Sequence, residues 1–177
     1  MKQVLLSSIF IIISTVSIAQ KRLSPAVPGQ GGIFKIENPD EAPDPSMKYK
    51  IVIDVTMGSE DNSSLNPALH NIARMLNLHV VAGVPKENMD VVAVIHSKTT
   101  SSLLKNKAYK KLFQVDNPNN ELISDLTKAG VKLFVCGQSL IARGYDRKDI
   151  NESIGISVSA LTILTEYQLN GYALLKF

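Results

Sequence analysis

The chain has one cysteine, Cys136, so it cannot form a disulfide within itself, and its stability must come from burying a core. Its histidines, His70, His79 and His96, stand apart from one another and from Cys136 in sequence. No Cys/His cluster has the spacing of a zinc site, which excludes a dedicated metal centre of that kind. Beyond the first nineteen residues no apolar run approaches the about 20 residues that a membrane span needs. The formal charge of +3 comes from 19 basic and 16 acidic side chains that are interspersed. Nucleic-acid binders cluster Lys and Arg on one face, so the pattern argues against nucleic acid, and it offers no basic surface for a membrane either. No phosphate-loop lysine motif is present, and nothing in the pattern calls for a resident cofactor.

The N-terminus, by contrast, is well marked. Lys2 is followed by a mostly apolar run from Val4 to Ile18, and Ser17 and Ala19 place small side chains where a signal peptidase reads them. The pattern predicts a signal peptide over residues 1–19, cleaved to leave Gln20, and hence an exported protein, periplasmic or secreted. The run is short for a retained anchor. After cleavage nothing is left to hold the chain in a membrane.

Residues 20–48 hold Pro25, Pro28, Pro39, Pro43 and Pro45 together with Gly29, Gly31 and Gly32. Proline fixes φ and lacks a backbone donor, so this stretch reads as an arm that forms neither helix nor central strand. Ile33 and Phe34 are its candidates for packing against the rest.

From residue 49 to 177 strand and helix signals alternate, the signature of an α/β domain with a mainly parallel sheet. Lys50 to Thr56, Asp90 to Ile95 and Val131 to Val135 are β-branched runs suited to buried strands, and Tyr172 to Phe177 is a final one. A helix capped by Ser63 or Ser64 runs to about Leu78, with Leu65, Leu69, Ile72, Ala73 and Leu76 on one face. Further helices are predicted over Ser101 to Phe113 (interrupted), Glu121 to Ala129, a short stretch from Gln138 that ends at Gly144, and Ser157 to Leu169. Ligands and chemistry gather beyond the carboxyl ends of such strands. The loops that begin at Thr56, His96 and Cys136 are therefore the ones to watch.

Cys136 ends a strand, and Gly137, Gln138 and Ser139 open a helix. A sulfur there meets backbone N–H groups and the positive end of a helix dipole, which favours the thiolate. Gly137 permits an unusual turn or the close approach of a ligand, and Gln138 and Ser139 supply donors. A lone thiol is equally well a small buried hydrophobe, inert or paired between chains. His96, at the end of the preceding strand, is placed to lower the thiol pKa as a cation or to shuttle a proton as a base. Otherwise it simply caps a loop. The hydroxyl-rich loop Thr56 to Ser64 could cradle a flavin or nucleotide phosphate, but Glu60 and Asp61 would repel it. Its other reading is a polar loop of helix-cap residues. Arg143 and Arg147 lie just beyond the Cys136 helix, among mixed charges.

Taken in order, these segments resemble the DsrE/DsrF-like family, which is associated with sulfur relay and intracellular sulfur oxidation. The landmarks are the Lys50–Thr56 strand, His96 ending the next strand, and the Asn117-Pro118-Asn119 turn before a leucine helix. Ala129-Gly130-Val131, the Val135-Cys136-Gly137-Gln138-Ser139 stretch, Ser159-Ala160-Leu161 and Gly171-Tyr172-Ala173 follow. The resemblance implies a three-layer α/β/α domain with a five-stranded, mainly parallel sheet that assembles as a homo-oligomer. It also implies that Cys136 carries a persulfide, exchanged with a small sulfur compound or with a protein sulfur donor or acceptor. A signal peptide departs from the family's intracellular setting. Two functions follow as expectations: a sulfur carrier or thiol-redox protein using Cys136, or a non-catalytic oligomeric binding module with a structural cysteine.

Overall fold

Runs of β-branched residues become strands and the leucine-bearing stretches between them become crossover helices, as described by a computed structural model for residues 20–177. The signal segment read over residues 1–19 lies outside the described residues. Among the described residues no helix is long and apolar enough to cross a membrane.

The elements in chain order are β1 (Tyr49–Val55), α1 (Pro67–Val81), β2 (Met89–Ile95), α2 (Asn106–Phe113), α3 (Asn120–Lys128), β3 (Lys132–Cys136), α4 (Gly137–Arg143), β4 (Gly155–Ser157), α5 (Ala160–Leu169) and β5 (Ala173–Lys176). A 3-10 helix over Ser97–Leu103 follows β2. The five strands form one sheet in the order β4-β3-β2-β1-β5. Every neighbouring pair is parallel, so the sheet is wholly rather than mainly parallel.

Alternation along the strands divides the core in two. Ile53, Val55, Val91, Ala93, Ile95 and Val135 face the larger half, filled by α1, α2 and α3. Val52, Val92, Val94 and Cys136 face the smaller half, closed by Ala160 and Ile163 of α5. Strand order explains the split. The chain steps from β1 through β2, β3 and β4 in one direction, and then α5 carries it back across the sheet to β5. With right-handed crossovers, a reversal of direction puts the helix on the opposite face. The result is three layers.

Several boundaries differ from those read in the sequence. The cap of α1 is Asn66, whose side-chain oxygen accepts from the N–H groups of Ala68 and Leu69. Ser63 and Ser64 give their hydroxyls to Asp61 instead. The helix also continues past Leu78 to Val81. The interruption in 101–113 falls at Leu104 and Lys105, where the chain is extended between the 3-10 helix and α2. Residues 157–159 are not helical. Ser157 ends β4, and Ser159 caps α5 in a capping box with Thr162.

The arm is anchored more firmly than Ile33 and Phe34 alone would achieve. Ala26, Val27 and Ile33 are buried, whereas Phe34 stays exposed beneath Arg22. Asn77, wholly buried on α1, satisfies four arm groups. Its oxygen accepts from Ala26 N–H at 2.9 Å and Val27 N–H at 3.1 Å, and its amide donates to the carbonyls of Gln30 at 2.9 Å and Gly31 at 3.0 Å. Gly31 lies against the backbone of α1, where a Cβ would sit 2.4 Å from the Arg74 nitrogen. Its N–H donates to His70 Nε2. Burial, with help from Arg74 and Arg22, holds the His70 pKa below its ordinary value and keeps that nitrogen an acceptor.

Replacing Asn77 by Ala leaves buried backbone donors and carbonyls without partners, each a cost of about 1–3 kcal/mol. The expected loss of stability is about 3 kcal/mol in urea unfolding, with hydrogen exchange at Ala26 and Val27 rising toward that of an open segment. Unchanged protection of those two amides would show that the arm is held by other means.

Candidate functional site

Parallel strands all deliver their last residues to the same rim, and here that rim gathers Asp54, His96, Cys136 and Ser157. Cys136 pairs with Ser157, and Val135 with Ile95, so His96 follows β2 at the level where Cys136 ends β3. His96 keeps an extended backbone, and strand alternation turns it to the same face as Val94 and Cys136.

Cys136 is 5% exposed and packs with Val52, Val92, Val94, Ala160 and Ile163. It is also the residue preceding α4, and its Sγ accepts the N–H of Ala160, the first residue of α5, at 3.2 Å. The starts of two helices thus converge on one sulfur. Burial pushes the thiol pKa up. Hydrogen bonding from the Ser139 hydroxyl and from the N–H groups of Ser139, Ala160 and Gln138 outweighs it and holds the pKa below the ordinary value. Donors aimed at sulfur favour the thiolate, which is the nucleophilic form.

Ser139 works in both directions. While its hydroxyl acts on Cys136, its oxygen accepts the N–H of Ser97 at 3.1 Å. Ser97 has φ +57°, a left-handed conformation that L residues other than Asn and Asp rarely adopt. Its carbonyl accepts from Arg143 Nε at 2.6 Å and from the Thr100 hydroxyl at 2.8 Å. Strain of this kind persists where neighbours over-determine it. Three bonds to the Ser97 backbone do so here, two of them from α4.

His96 is engaged with carboxylate rather than sulfur. Its Nε2 lies 2.6 Å from Asp54 Oδ1, and its Nδ1 lies 3.1 Å from the Ser97 hydroxyl. Lys176 stands 3.5 Å from the other Asp54 oxygen. No hydrogen bond joins His96 to Cys136 among the described residues. The two are linked through Ser97 and Ser139. Gly137 serves the fold: a Cβ there would lie 2.8 Å from the Ser157 carbonyl oxygen, so the residue is small to admit the backbone leaving β4 rather than a ligand. Gln138 is exposed, and with Ser97, Ser139, Ala142 and Arg143 it lines an open cleft of about 470 Å³. Cys136 lies behind that wall. Among the described residues no group of His, Cys, Asp and Glu side chains could hold a metal ion.

Asp54, Ser97 and the Ala160 N–H belong to the site but are not signalled as such in the sequence. Asp54 has the clearest trace, as the lone carboxylate inside the apolar run Lys50 to Thr56. A charge in a buried strand calls for a partner.

The model of the DsrE/DsrF-like family matches residues 47–177. Among solved structures, a protein of unknown function, MTH1491, from Methanobacterium thermoautotrophicum is 21% identical, with a TM-score of 0.55 over 73% of this chain and 99% of its own. The ychN protein from E. coli is also 21% identical, with a TM-score of 0.53 over the same shares. At that identity both attest the fold alone. No curated protein sequence matches this chain significantly.

A depressed thiol pKa makes the thiolate a native-state ligand of its N–H donors. Stability from this source is fully present above the unfolded thiol value of about 8.5 and is lost as pH falls through the lower folded value. Thiolate ultraviolet absorbance is expected to titrate below the ordinary range in the native protein. It should move up in Ser139→Ala, and the matching rise of stability with pH should vanish in Cys136→Ser. A native midpoint at or above the unfolded one would contradict the geometry.

Proposed function

The chain belongs to the DsrE/DsrF-like family, and from that premise we propose that it is an exported carrier of sulfane sulfur, with Cys136 as the acceptor. The observation that supports this reading most is the set of donors converging on Sγ from α4 and α5. In the proposed step the Cys136 thiolate attacks the outer sulfur of a donor persulfide. An S–S bond forms to Sγ as the donor's own S–S bond breaks, and the electron pair leaves on the donor thiolate. The proton of the incoming persulfide ends on the departing thiol, so a persulfide anion remains on Cys136 and no net oxidation occurs. Attack by an acceptor thiol on the outer sulfur reverses the sequence. The same N–H groups that favour a thiolate would favour the persulfide anion. Cys136 lies behind the wall of the cleft that Gln138 and Ser139 line, so a small sulfur compound, or the cysteine of a partner protein, would reach Sγ only as that wall moves aside. Asp54, His96 and Ser97 act as positioning residues that fix Ser139.

Export follows from the segment over residues 1–19, with the mature chain starting at Gln20. Intact-mass spectrometry of protein recovered from an exporting host, incubated with glutathione persulfide and then freed of small molecules, tests both statements. The expected mass is that of residues 20–177 plus one sulfur, with no added sulfur in Cys136→Ser. Equal uptake by the two proteins, or none by either, refutes the carrier role. Retention of residues 1–19 refutes the export assignment separately.

A second reading, an oligomeric binding module, is favoured by a different observation. Ile141, Val158, Leu161 and Leu169 are 78%, 74%, 78% and 84% exposed. Leu161, Thr165 and Leu169 follow at four-residue intervals on the outer side of α5, so apolar area remains uncovered beside the site. We propose that a second copy of the chain covers it. Sedimentation is expected to show an assembly larger than one chain, reduced to monomer by Leu161→Lys. A monomeric native protein would end this proposal.

A further inference from the structure

A second cleft opens on the same rim, on the side away from α5, between the loop after β1, the 3-10 helix after β2 and the end of α4. Its volume is about 400 Å³, within the range of small-molecule sites. Loops from three neighbouring parallel strands meet there, which is where sheets of this kind bind ligands.

The polar groups of its wall fall into two sets. Most are already partnered within the protein. The Ser59 hydroxyl goes to the Asp61 carbonyl, Thr99 to the Thr56 carbonyl, Ser101 to the Lys98 carbonyl and Tyr109 to the Asn62 carbonyl. The Ser64 hydroxyl goes to the Asp61 carboxylate. Asn119 accepts from the Asn66 N–H and donates to the Asn117 side chain. What remains is the Lys98 ammonium, the terminal amines of Arg143, whose Nε alone is committed to Ser97, the Tyr145 hydroxyl and the side-chain amide of Asn62. None of these four has a hydrogen-bond or ion-pair partner among the described residues. Each can donate, two of them carry positive charge, and no carboxylate lines the cleft.

The acidic residues that would have repelled an anion are turned elsewhere. Glu60 and Asp61 belong to the adjoining loop but not to the cleft wall. Asp61 spends its charge on the Ser63 N–H and on the hydroxyls of Ser63 and Ser64, which hold its pKa below the usual carboxylate value. Leu112 and Phe113 of α2 also line the cleft and supply its apolar part.

We propose that this cleft binds a small organic anion, with a phosphate or carboxylate head facing Lys98, Arg143 and Tyr145 and a flat apolar body against Leu112 and Phe113. The site is independent of the sulfur chemistry assigned to Cys136, although Arg143 lies in the wall of both clefts. A planar guanidinium held at Nε by the Ser97 carbonyl is already oriented to offer its two remaining amines in parallel, the geometry that suits such heads.

Titration of the full mature chain with phenyl phosphate, followed by calorimetry and by amide chemical shifts, tests the proposal, with benzoate and phenol as companion ligands. Phenyl phosphate is expected to bind saturably, to shift the amides of Gly58, Lys98 and Tyr145, and to weaken as salt is raised. Lys98→Gln and Arg143→Gln should each reduce affinity by about tenfold, the scale of one charge-assisted hydrogen bond, and Tyr145→Phe by a few-fold. Lys98 is exposed and unpaired, so its variant tests the site without disturbing the fold. Cys136→Ser should bind as the native protein does. Tighter binding of benzoate than of phenyl phosphate would assign the head as carboxylate and keep the site. No saturable binding of either anion, phenol binding equally well, or native affinity in Lys98→Gln would overturn it.

Discussion

All five strands run the same way, and that constraint puts every residue with chemical potential on one rim. Val52 pairs with Val92 and Val92 with Lys132, so the strands stay in step from β1 to β3 and bring Asp54, His96 and Cys136 to one rim. An antiparallel strand anywhere among them would send one of those residues to the opposite rim, some five residues of strand away. The opposite rim is tied together by polar contacts between strands. There Asp90 pairs with Lys132 at 2.9 Å and accepts from the Tyr172 hydroxyl at 2.5 Å, and that hydrogen bond, with burial, pushes the Tyr172 hydroxyl up to about 12. Parallel order thus separates the Asp90 end of the sheet from the end that carries Cys136.

At the Cys136 end the side chains are joined one to the next. Asp54 holds His96, His96 meets the Ser97 hydroxyl, the Ser97 N–H holds Ser139, and Ser139 donates to the sulfur. Ser97 is the joint in this sequence of contacts, and its left-handed backbone is the price of pointing its N–H at α4 and its carbonyl at Arg143. Relaxing Ser97 into an ordinary conformation would release both contacts at once. The sulfur would then keep the Ala160 N–H but lose the orientation of Ser139. Its burial, which alone raises the pKa, would weigh more.

The sequence revealed what depends on local pattern. The β-branched runs around Val52, Val92 and Val135, the apolar face of α1, and the glycines that end α4 and α5 are all short-range signals, and each element lies within a few residues of its expected place. β4 was not legible, because three residues, Gly155–Ser157, are too few to show alternation and pair only because β3 lies beside them. The cap of α1 was misassigned to Ser63 or Ser64 for a related reason. Asn66 is fixed by Ser102 and by Asn119, 53 positions away, while the serines are drawn off by Asp61. The site divides the same way. Cys136, His96, Gly137, Gln138 and Ser139 were visible as a strand end, a strand end and a helix start. Which of them touch was not visible: His96 turned to Asp54, and Gly137 to the Ser157 carbonyl. The Ala160 N–H is a backbone group brought in by the return crossover, so no side-chain pattern could announce it.

Burial and activation of a thiol usually oppose each other, since a low-dielectric site favours the neutral form. Here the two are reconciled by where the helices begin. The N–H groups in the first turn of a helix have no intrahelical acceptor, so they need a partner from outside. Two such starts, α4 at Gly137 and α5 at Ala160, face one sulfur, and each N–H satisfied by Sγ is one that would otherwise be left unpaired near the core. The sulfur therefore answers a need of the backbone, whatever reaction it serves. Serine in this place would bring a shorter bond to oxygen and a hydroxyl that stays protonated, leaving the same N–H groups facing a neutral acceptor. Carbon would leave them with none. Sulfur is thus the atom the fold itself favours at position 136, and a single cysteine, with no second thiol to close a disulfide, directs any sulfur chemistry there outward to another molecule.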